Sequence, residues 1–406
     1  MDSMMENIDA ESLPGGEESS LPGQEEGQLV TTGIHSLHEL IDLVCGQSVQ
    51  EAGERGDAGL AESLPFPFLA LVGQQEMKLA LLLSLINPLL GGVLLIGPRG
   101  TAKTTAARSL IDLLPVINRS LCFYGCTPED IETGGIDAVC PDCAKKYADG
   151  IPLVGPDRVR LVELPLNATL DDVVGGIDEK AMLHQRLRLK RGLLAQADQN
   201  LLYIDEVNLL HPEIVDAILD AAALGSYTVR RGPISAKYRA RINLIGSMNP
   251  EEGFLRPQIM DRFGLRALVA GLPDPDERFE AYRRVRIYHD NPREMIAQYA
   301  ETTEKARAEI QAARDSLPLV EIPREVAQEG IHLVQSLKID SLRAEITLFE
   351  AARAFTAADA RTLVTLEDLK TVAPLSLRLR RSQFIKDFFH KQLEEEEELR
   401  ALLGKG

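Results

Sequence analysis

The stretch Gly92-Val93-Leu94-Leu95-Ile96-Gly97-Pro98-Arg99-Gly100-Thr101-Ala102-Lys103-Thr104-Thr105 constrains this chain more than any other. Four apolar residues between glycines predict a buried strand. A turn containing Gly97 and Gly100 follows, then Lys103-Thr104 and the helical stretch Ala106-Ala107-Arg108-Ser109-Leu110. Strand, glycine-rich turn, Lys-Thr and helix in that order make a phosphate-binding loop. Glycines let the backbone curl so that several N–H groups face one point, and the helix start adds partial positive charge there. Residues Gly97, Pro98, Arg99, Gly100, Thr101, Ala102, Lys103, Thr104 and Thr105 are therefore the candidate phosphate cradle. The Lys103 ammonium would meet the outer phosphates, and the Thr104 hydroxyl would ligate Mg2+. Ala102 stands where the strict pattern has glycine, so its Cβ should constrain φ there without destroying the site. An ordinary strand-to-helix turn is the alternative at this point.

A second stretch decides between these readings. In Asn200-Leu201-Leu202-Tyr203-Ile204-Asp205-Glu206 an apolar strand ends in two carboxylates. Carboxylates at the end of a buried strand are costly unless something compensates their charge. Beside a phosphate loop that compensation is Mg2+, which Asp205 would hold through its water shell, while Glu206 would polarise the water that attacks the γ-phosphate. A further strand, Arg241 to Met248, ends in Asn249-Pro250, where a polar residue could reach the γ-phosphate or the water. Arg262, in Asp261-Arg262-Phe263-Gly264, is expected to lie beyond the last core strand. It reads equally as an arginine aimed at a neighbouring subunit's nucleotide or as a surface ion pair.

Upstream, Pro65-Phe66-Pro67-Phe68 marks a domain entry, and a helix is expected from Glu76 to Ile86. Val72 and Gly73, just before the loop strand, are candidates for the wall against which adenine packs. Downstream, Cys122, Cys126, Cys140 and Cys143 follow the spacing C-x3-C-x13-C-x2-C. The Cys140-Pro-Asp-Cys143 pair suits half of a tetrahedral zinc site. Cys122, in an apolar run, also suits a core position, and thiols without metal are the expected state in a reducing compartment. Residues 182–192 are basic, either a solvated face or an insertion facing a ring pore or partner. The C-terminal part reads as helices: 272–315 broken near Asn291-Pro292, a region punctuated by Pro323 and Gly330, one helix N-capped by Ser341, and one capped by Thr365.

The formal charge of −18 over 406 residues is uneven: residues 1–65 carry 14 Asp and Glu against one Arg. That segment, rich in Glu, Gly, Ser and Pro, reads as a mostly disordered, solvated tail with one short amphipathic stretch at 34–44. The acidity disfavours nucleic acid as a partner. The longest apolar run, 79–90, is interrupted by Ser84 and Asn87-Pro88, so no membrane span is expected. No secretory signal is visible, which points to the cytoplasm, or to the stroma for a plastid protein without its transit peptide.

Together, Lys103-Thr104, Asp205-Glu206, Asn249, Arg262 and Arg343 resemble the AAA+ ATPases. More narrowly, the chain resembles the I subunit of magnesium chelatase. Val72-Gly73-Gln74 with Met77-Lys78-Leu79-Ala80-Leu81, Tyr203 to Leu210, and Asn249-Pro250-Glu251-Glu252-Gly253 through Asp261-Arg262-Phe263-Gly264 carry that resemblance, which spans about residues 65–380. It implies an α/β P-loop AAA+ domain, a parallel sheet between helices, followed by an all-helical lid. The organisation would be an acidic extension at 1–64, the ATPase domain at 65–275, a helical connector at 276–318 and the lid with an acidic tail at 319–406.

The resemblance further implies Asn249 as sensor 1, Arg262 as an arginine finger acting across a subunit boundary and Arg343 as sensor 2. Residues 182–192 and 227–236 fall where the family carries insertions. Such proteins use ATP and Mg2+ and form hexameric rings. They work with a partner bearing an integrin-like (von Willebrand A) domain and with a large porphyrin-binding subunit, driving Mg2+ insertion into protoporphyrin. The form Gly-Thr-Ala-Lys-Thr resembles instead the MoxR-type ATPases, which keeps open a chaperone that matures another metalloprotein. A nucleotide-gated transcription regulator ranks last, because its Gly-Ala-Phe-Thr-Gly-Ala loop is missing.

Overall fold

The computed structural model describes residues 64–122, 125–177, 190–232 and 234–380. The stretch 34–44, most of the basic segment 182–192 and the C-terminal glutamate run lie outside the described residues. Nine strands are seen among the described residues: β1 (Val93–Ile96), β2 (Ile117–Ser120), β3 (Val154–Asp157), β4 (Leu161–Leu164), β5 (Leu201–Ile204), β6 (Ser226–Arg231), β7 (Ile234–Arg239), β8 (Asn243–Met248) and β9 (Leu265–Leu268). Interleaved with them are helices α1 (Gln75–Ile86), α2 (Lys103–Ser109), α3 (Pro128–Gly134), α4 (Pro141–Ala148), α5 (Leu170–Val174), α6 (Leu193–Gln196), α7 (Pro212–Leu224) and α8 (Pro257–Met260). Five helices follow: α9 (Pro275–Asp290), α10 (Pro292–Ser316), α11 (Arg324–Ser336), α12 (Leu342–Ala358) and α13 (Leu366–Leu377).

Five strands form one parallel sheet in the order β4-β5-β8-β1-β9. Strands β1 and β5 are buried at every position, as a sheet covered on both faces demands. The pleat then sorts the side chains. Val93 and Leu95 enter a core shared with Met77, Leu81 and Leu83 of α1. Leu94 and Ile96 face the other way, into a core with Val215, Ile218 and Leu219 of α7. The first core continues into Leu348, Ala351, Ala352, Leu369 and Val372, so α12 and α13 are cemented to the α1 face by the same apolar burial. An α/β layer followed by a helical unit is thus the architecture.

Several local expectations are refined. Helix α2 begins at Lys103 itself, earlier than the stretch starting at Ala106. Arg262 precedes the last core strand instead of lying beyond it, because β9 adds a further strand to the sheet after it. Thr365 closes a full capping box with Asp368. Ser341 occupies the N-cap position of α12 but makes no cap hydrogen bond; its hydroxyl donates to Asp261 Oδ2 at 3.1 Å. Pro323 is the N-cap residue of α11, whereas Gly330 lies inside that helix. A Cβ there would stand 2.6 Å from the Phe349 ring, so the glycine is a close helix–helix contact and not a break. Within the expected insertion at 227–236, strands β6 and β7 pair antiparallel.

Candidate nucleotide-binding site

Strand β8 lies between β1 and β5, so three strand ends meet at one edge of the sheet. The loop 97–102 leaves β1 there, Asp205 and Glu206 leave β5, and Ser247 and Asn249 leave β8. The C-terminal edge of a parallel sheet is where open α/β folds bind ligands. A Cβ on Gly97 would sit 1.9 Å from the Val269 carbonyl, so only glycine lets the loop pass the segment after β9. Ala102 takes φ 66° and ψ 20°, the left-handed region, so the constraint expected on φ is real. For alanine that conformation costs about 1–2 kcal/mol. Ala102→Gly should therefore stabilise the domain by about 0.5–1 kcal/mol and leave nucleotide binding intact. Urea unfolding checks this; a lower midpoint in the variant would contradict it.

Lys103 is buried, and its ammonium donates to the carbonyls of Gly97 and Pro98, both at 2.7 Å. Burial pulls its pKa down, while Asp205, Glu206 and Glu252 push it back up. Thr104 Oγ1 lies 3.0 Å from the Tyr203 hydroxyl oxygen and 3.3 Å from Asp205 Oδ2, with one proton to donate to either. Asp205 Oδ1 accepts from Tyr203 at 2.9 Å and from Ser247 at 2.5 Å. Burial holds the Tyr203 pKa far above its ordinary value, so this hydroxyl stays neutral and remains a donor. A hydroxyl and a carboxylate oxygen set side by side, both hard oxygen donors, suit Mg2+. Tyr203 and Ser247 then aim the carboxylate.

Glu206 has φ 51°, an uncommon conformation for a carboxylate residue, held by its N–H donating to Ser247 Oγ at 3.1 Å. Its carboxylate pairs with the Arg99 guanidinium at 3.3 Å, and Arg99 also pairs with Glu252. Asn249 is buried, and its side-chain oxygen accepts from Glu251 N–H, capping the short turn Pro250–Glu252. The two carboxylates, the ammonium, the hydroxyl and this amide thus belong to one edge of the sheet. Such a set can bind a polyphosphate and its metal and activate a water.

Comparison with known proteins follows the same line. The AAA lid domain family matches residues 327–402. The chain is 42% identical over 323 residues to a protein of Methanocaldococcus jannaschii described as a magnesium-chelatase subunit ChlI homolog, covering 79% of this chain and 87% of that one. It is 42% identical over 317 residues to the magnesium-chelatase 38 kDa subunit of Acidiphilium rubrum, covering 78% of this chain and 90% of that one. The chain belongs to the magnesium-chelatase subunit I family of AAA+ ATPases. A solved chain from the complex between subunits BchI and BchD of magnesium chelatase is 38% identical, covering 80% of this chain and 99% of that chain with a TM-score of 0.45.

Four further residues that a member of this family would be expected to use lie on other segments of the chain. Arg262 Nη1 donates to Asp220 Oδ1 at 2.6 Å and lies 3.6 Å from the Asp216 carboxylate, both on α7 of its own chain. Arg343, in the first turn of α12, is exposed and has no ion pair among the described residues. Val72 is half-buried, and the neighbouring Gln74 donates to the Ala270 carbonyl at 2.6 Å, which ties Val72 and Gly73 to the exit of β9 beside β1. The four cysteines are brought together: all four sulfurs lie within 4.8 Å of one another. Burial pushes the Cys126 thiol up to about 11 and the Cys143 thiol higher still.

Sequence reasoning passed over Tyr203 and Ser247. A tyrosine two positions before a strand-end aspartate shares its side of the pleat, and that was the available signal. It also passed over Asp261. That carboxylate accepts from Arg380 at 2.5 Å and from Ser341, and lies 3.7 Å from the Arg266 guanidinium. Arg266 is fully buried, and burial together with Arg380 pulls it down to about 9, still charged at neutral pH. One carboxylate beside Arg262 therefore hooks α12 and the end of the described chain onto the sheet domain.

Proposed function

We propose that the chain is the ATP-hydrolysing motor of a magnesium-chelatase-type complex, powering Mg2+ insertion into protoporphyrin by a partner subunit. The convergence of Lys103, Thr104, Asp205 and Glu206 at the ends of β1 and β5 carries the ATP-hydrolysing part of this reading, and the likeness to magnesium-chelatase subunits supports the rest. Residues 97–105 cradle the phosphates of ATP, with Val72 and Gly73 against adenine. Thr104 and Asp205 would hold the nucleotide's Mg2+, which would supply charge neutralisation for the phosphates. Lys103 releases its two loop carbonyls to meet the phosphates. Glu206 takes the proton of the attacking water, and Asn249 orients that water or the γ-phosphate.

Arg262 acts on a neighbouring subunit's nucleotide, and Arg343 reports the bound phosphates to the lid. This requires a closed ring, by family resemblance a hexamer. The relatives' description as subunits supports a partner subunit; by family resemblance one partner bears an integrin-like domain and another holds the porphyrin. The reading needs no membrane anchor: among the described residues no helix is long and apolar enough to cross a bilayer. A cytoplasmic location suits it.

The test is Mg2+ insertion into protoporphyrin, followed by fluorescence, with this protein added to the two other chelatase subunits of its own source. ATP-dependent product should form with the native chain and vanish with Lys103→Ala. ATP hydrolysis without any insertion would instead assign the chain to remodelling of another metalloprotein.

A further inference from the structure

Between β2 and β3 the chain leaves the sheet domain's layers and returns as an antiparallel partner, Ser120 opposite Val154. The excursion, residues 121–153, carries α3 and α4 and, among its described residues, only a small buried apolar core: Cys126, Ile131, Cys143 and Leu153. So few apolar groups offset little of the chain entropy lost on ordering such a segment. Compact modules of this kind need a cross-link.

The sulfurs supply the geometry for one. Cys122 Sγ lies 3.5 Å from Cys140 Sγ and 3.8 Å from Cys126 Sγ, and all four are mutually within 4.8 Å. Four sulfurs on a tetrahedral zinc at about 2.3 Å stand about 3.8 Å from one another. A disulfide would draw a pair to about 2.05 Å, and none of the four is so bonded. A cluster of several irons would spread its thiolates beyond this spacing, so the set fits a single ion.

The surroundings fit as well. Two sulfurs come from the turn after β2, which Gly125 closes by its N–H to the Cys122 carbonyl. Two come from the start of α4, where Cys140 is the N-cap residue and Cys143 lies in the first turn. Cys140 N–H donates to Cys126 Sγ at 3.4 Å, the kind of second bond that steadies a metal-bound thiolate. With four sulfurs around one point no coordination position is left open.

We propose that Cys122, Cys126, Cys140 and Cys143 form a structural zinc site. Zinc takes the place of the thiol protons, which are released to solvent on binding. The site's reach extends beyond the excursion. Thr127, next to Cys126, opens α3 and accepts from Arg239 Nη1 at 2.8 Å, while Arg239 also pairs with Asp130. Arg239 ends β7, so the ion holds the anchor of the β6–β7 hairpin.

The test is elemental analysis of the full chain, purified without added metal or chelator and dialysed into metal-free buffer. About one zinc per chain is expected. A mercurial thiol reagent should release it in step with modification of four thiols, read with a zinc indicator dye. Cys140→Ser and Cys143→Ser should each cut zinc at least tenfold, while Cys45→Ser leaves it unchanged. Should the serine variants fail to fold, the native chain refolded with Co2+ decides, through the intense visible bands of tetrahedral cobalt thiolate. Metal-free protein whose four thiols react at once, iron in place of zinc, or disulfides among the four by mass would each overturn the assignment.

Discussion

Glu206→Gln is expected to bind ATP as the native chain does and to hydrolyse it about 10^2- to 10^4-fold more slowly. The substitution keeps an oxygen for Arg99 at the place where the carboxylate stands 3.3 Å from that guanidinium, so the loop's arrangement should survive. What disappears is the proton acceptor. A loss of that size is about 3–5 kcal/mol of transition-state stabilisation, far above the cost of weakening one ion pair whose arginine is 71% exposed. Nucleotide affinity by calorimetry and single-turnover hydrolysis measure the two quantities separately. Normal turnover would remove Glu206 from its role, and lost binding would mean that the residue shapes the loop instead.

Arg262→Ala should abolish most hydrolysis, by about 10^3-fold or more, while each subunit still binds ATP. The arginine rests on Asp216 and Asp220 of its own chain, but at 29% exposure, beside carboxylates 45% and 62% exposed, that pairing is worth about 0–1 kcal/mol. An arginine finger is worth about 4–7 kcal/mol in the transition state. Transition-state stabilisation therefore outweighs the local pairing, and the two carboxylates park the guanidinium without forbidding its use on a neighbour. The decisive measurement mixes Arg262→Ala chains with Lys103→Ala chains. Each alone should be inactive, yet a mixture places an intact loop beside an intact finger. Random equal mixing should restore about a quarter of the native rate in a closed ring of head-to-tail contacts. If no ratio of the two variants restores hydrolysis, Arg262 acts only on its own subunit or serves the fold.

The loop, the strand-end carboxylates and the helical second half were legible because each is written in a few neighbouring residues. Glycines with Lys-Thr signal a phosphate turn, an apolar run ending in Asp-Glu signals a charged strand end, and Thr365 three residues before Asp368 signals a helix start. Family membership was legible for the same reason, since several such phrases fall in order. Even the departure at Ala102 could be read locally, as a Cβ placed where the loop turns left-handed.

Other features depend on which strands become neighbours, and no local signal carries that. The order β4-β5-β8-β1-β9 sets Ser247 and Tyr203 around Asp205, and Asp205 beside Thr104, across separations of 42 and 101 residues. Ser341 was legible as a helix cap, but a half-buried carboxylate with two guanidiniums already beside it drew the hydroxyl away. Four cysteines in loose spacing became one cluster because the β2–β3 pairing closes the excursion that holds them. The sequence by itself determined which residues are able to hold phosphate, metal and water, since that ability is a property of side-chain type and near neighbours. Only the tertiary structure decided which of them meet, because parallel strand order and domain docking follow from burial summed over the whole chain.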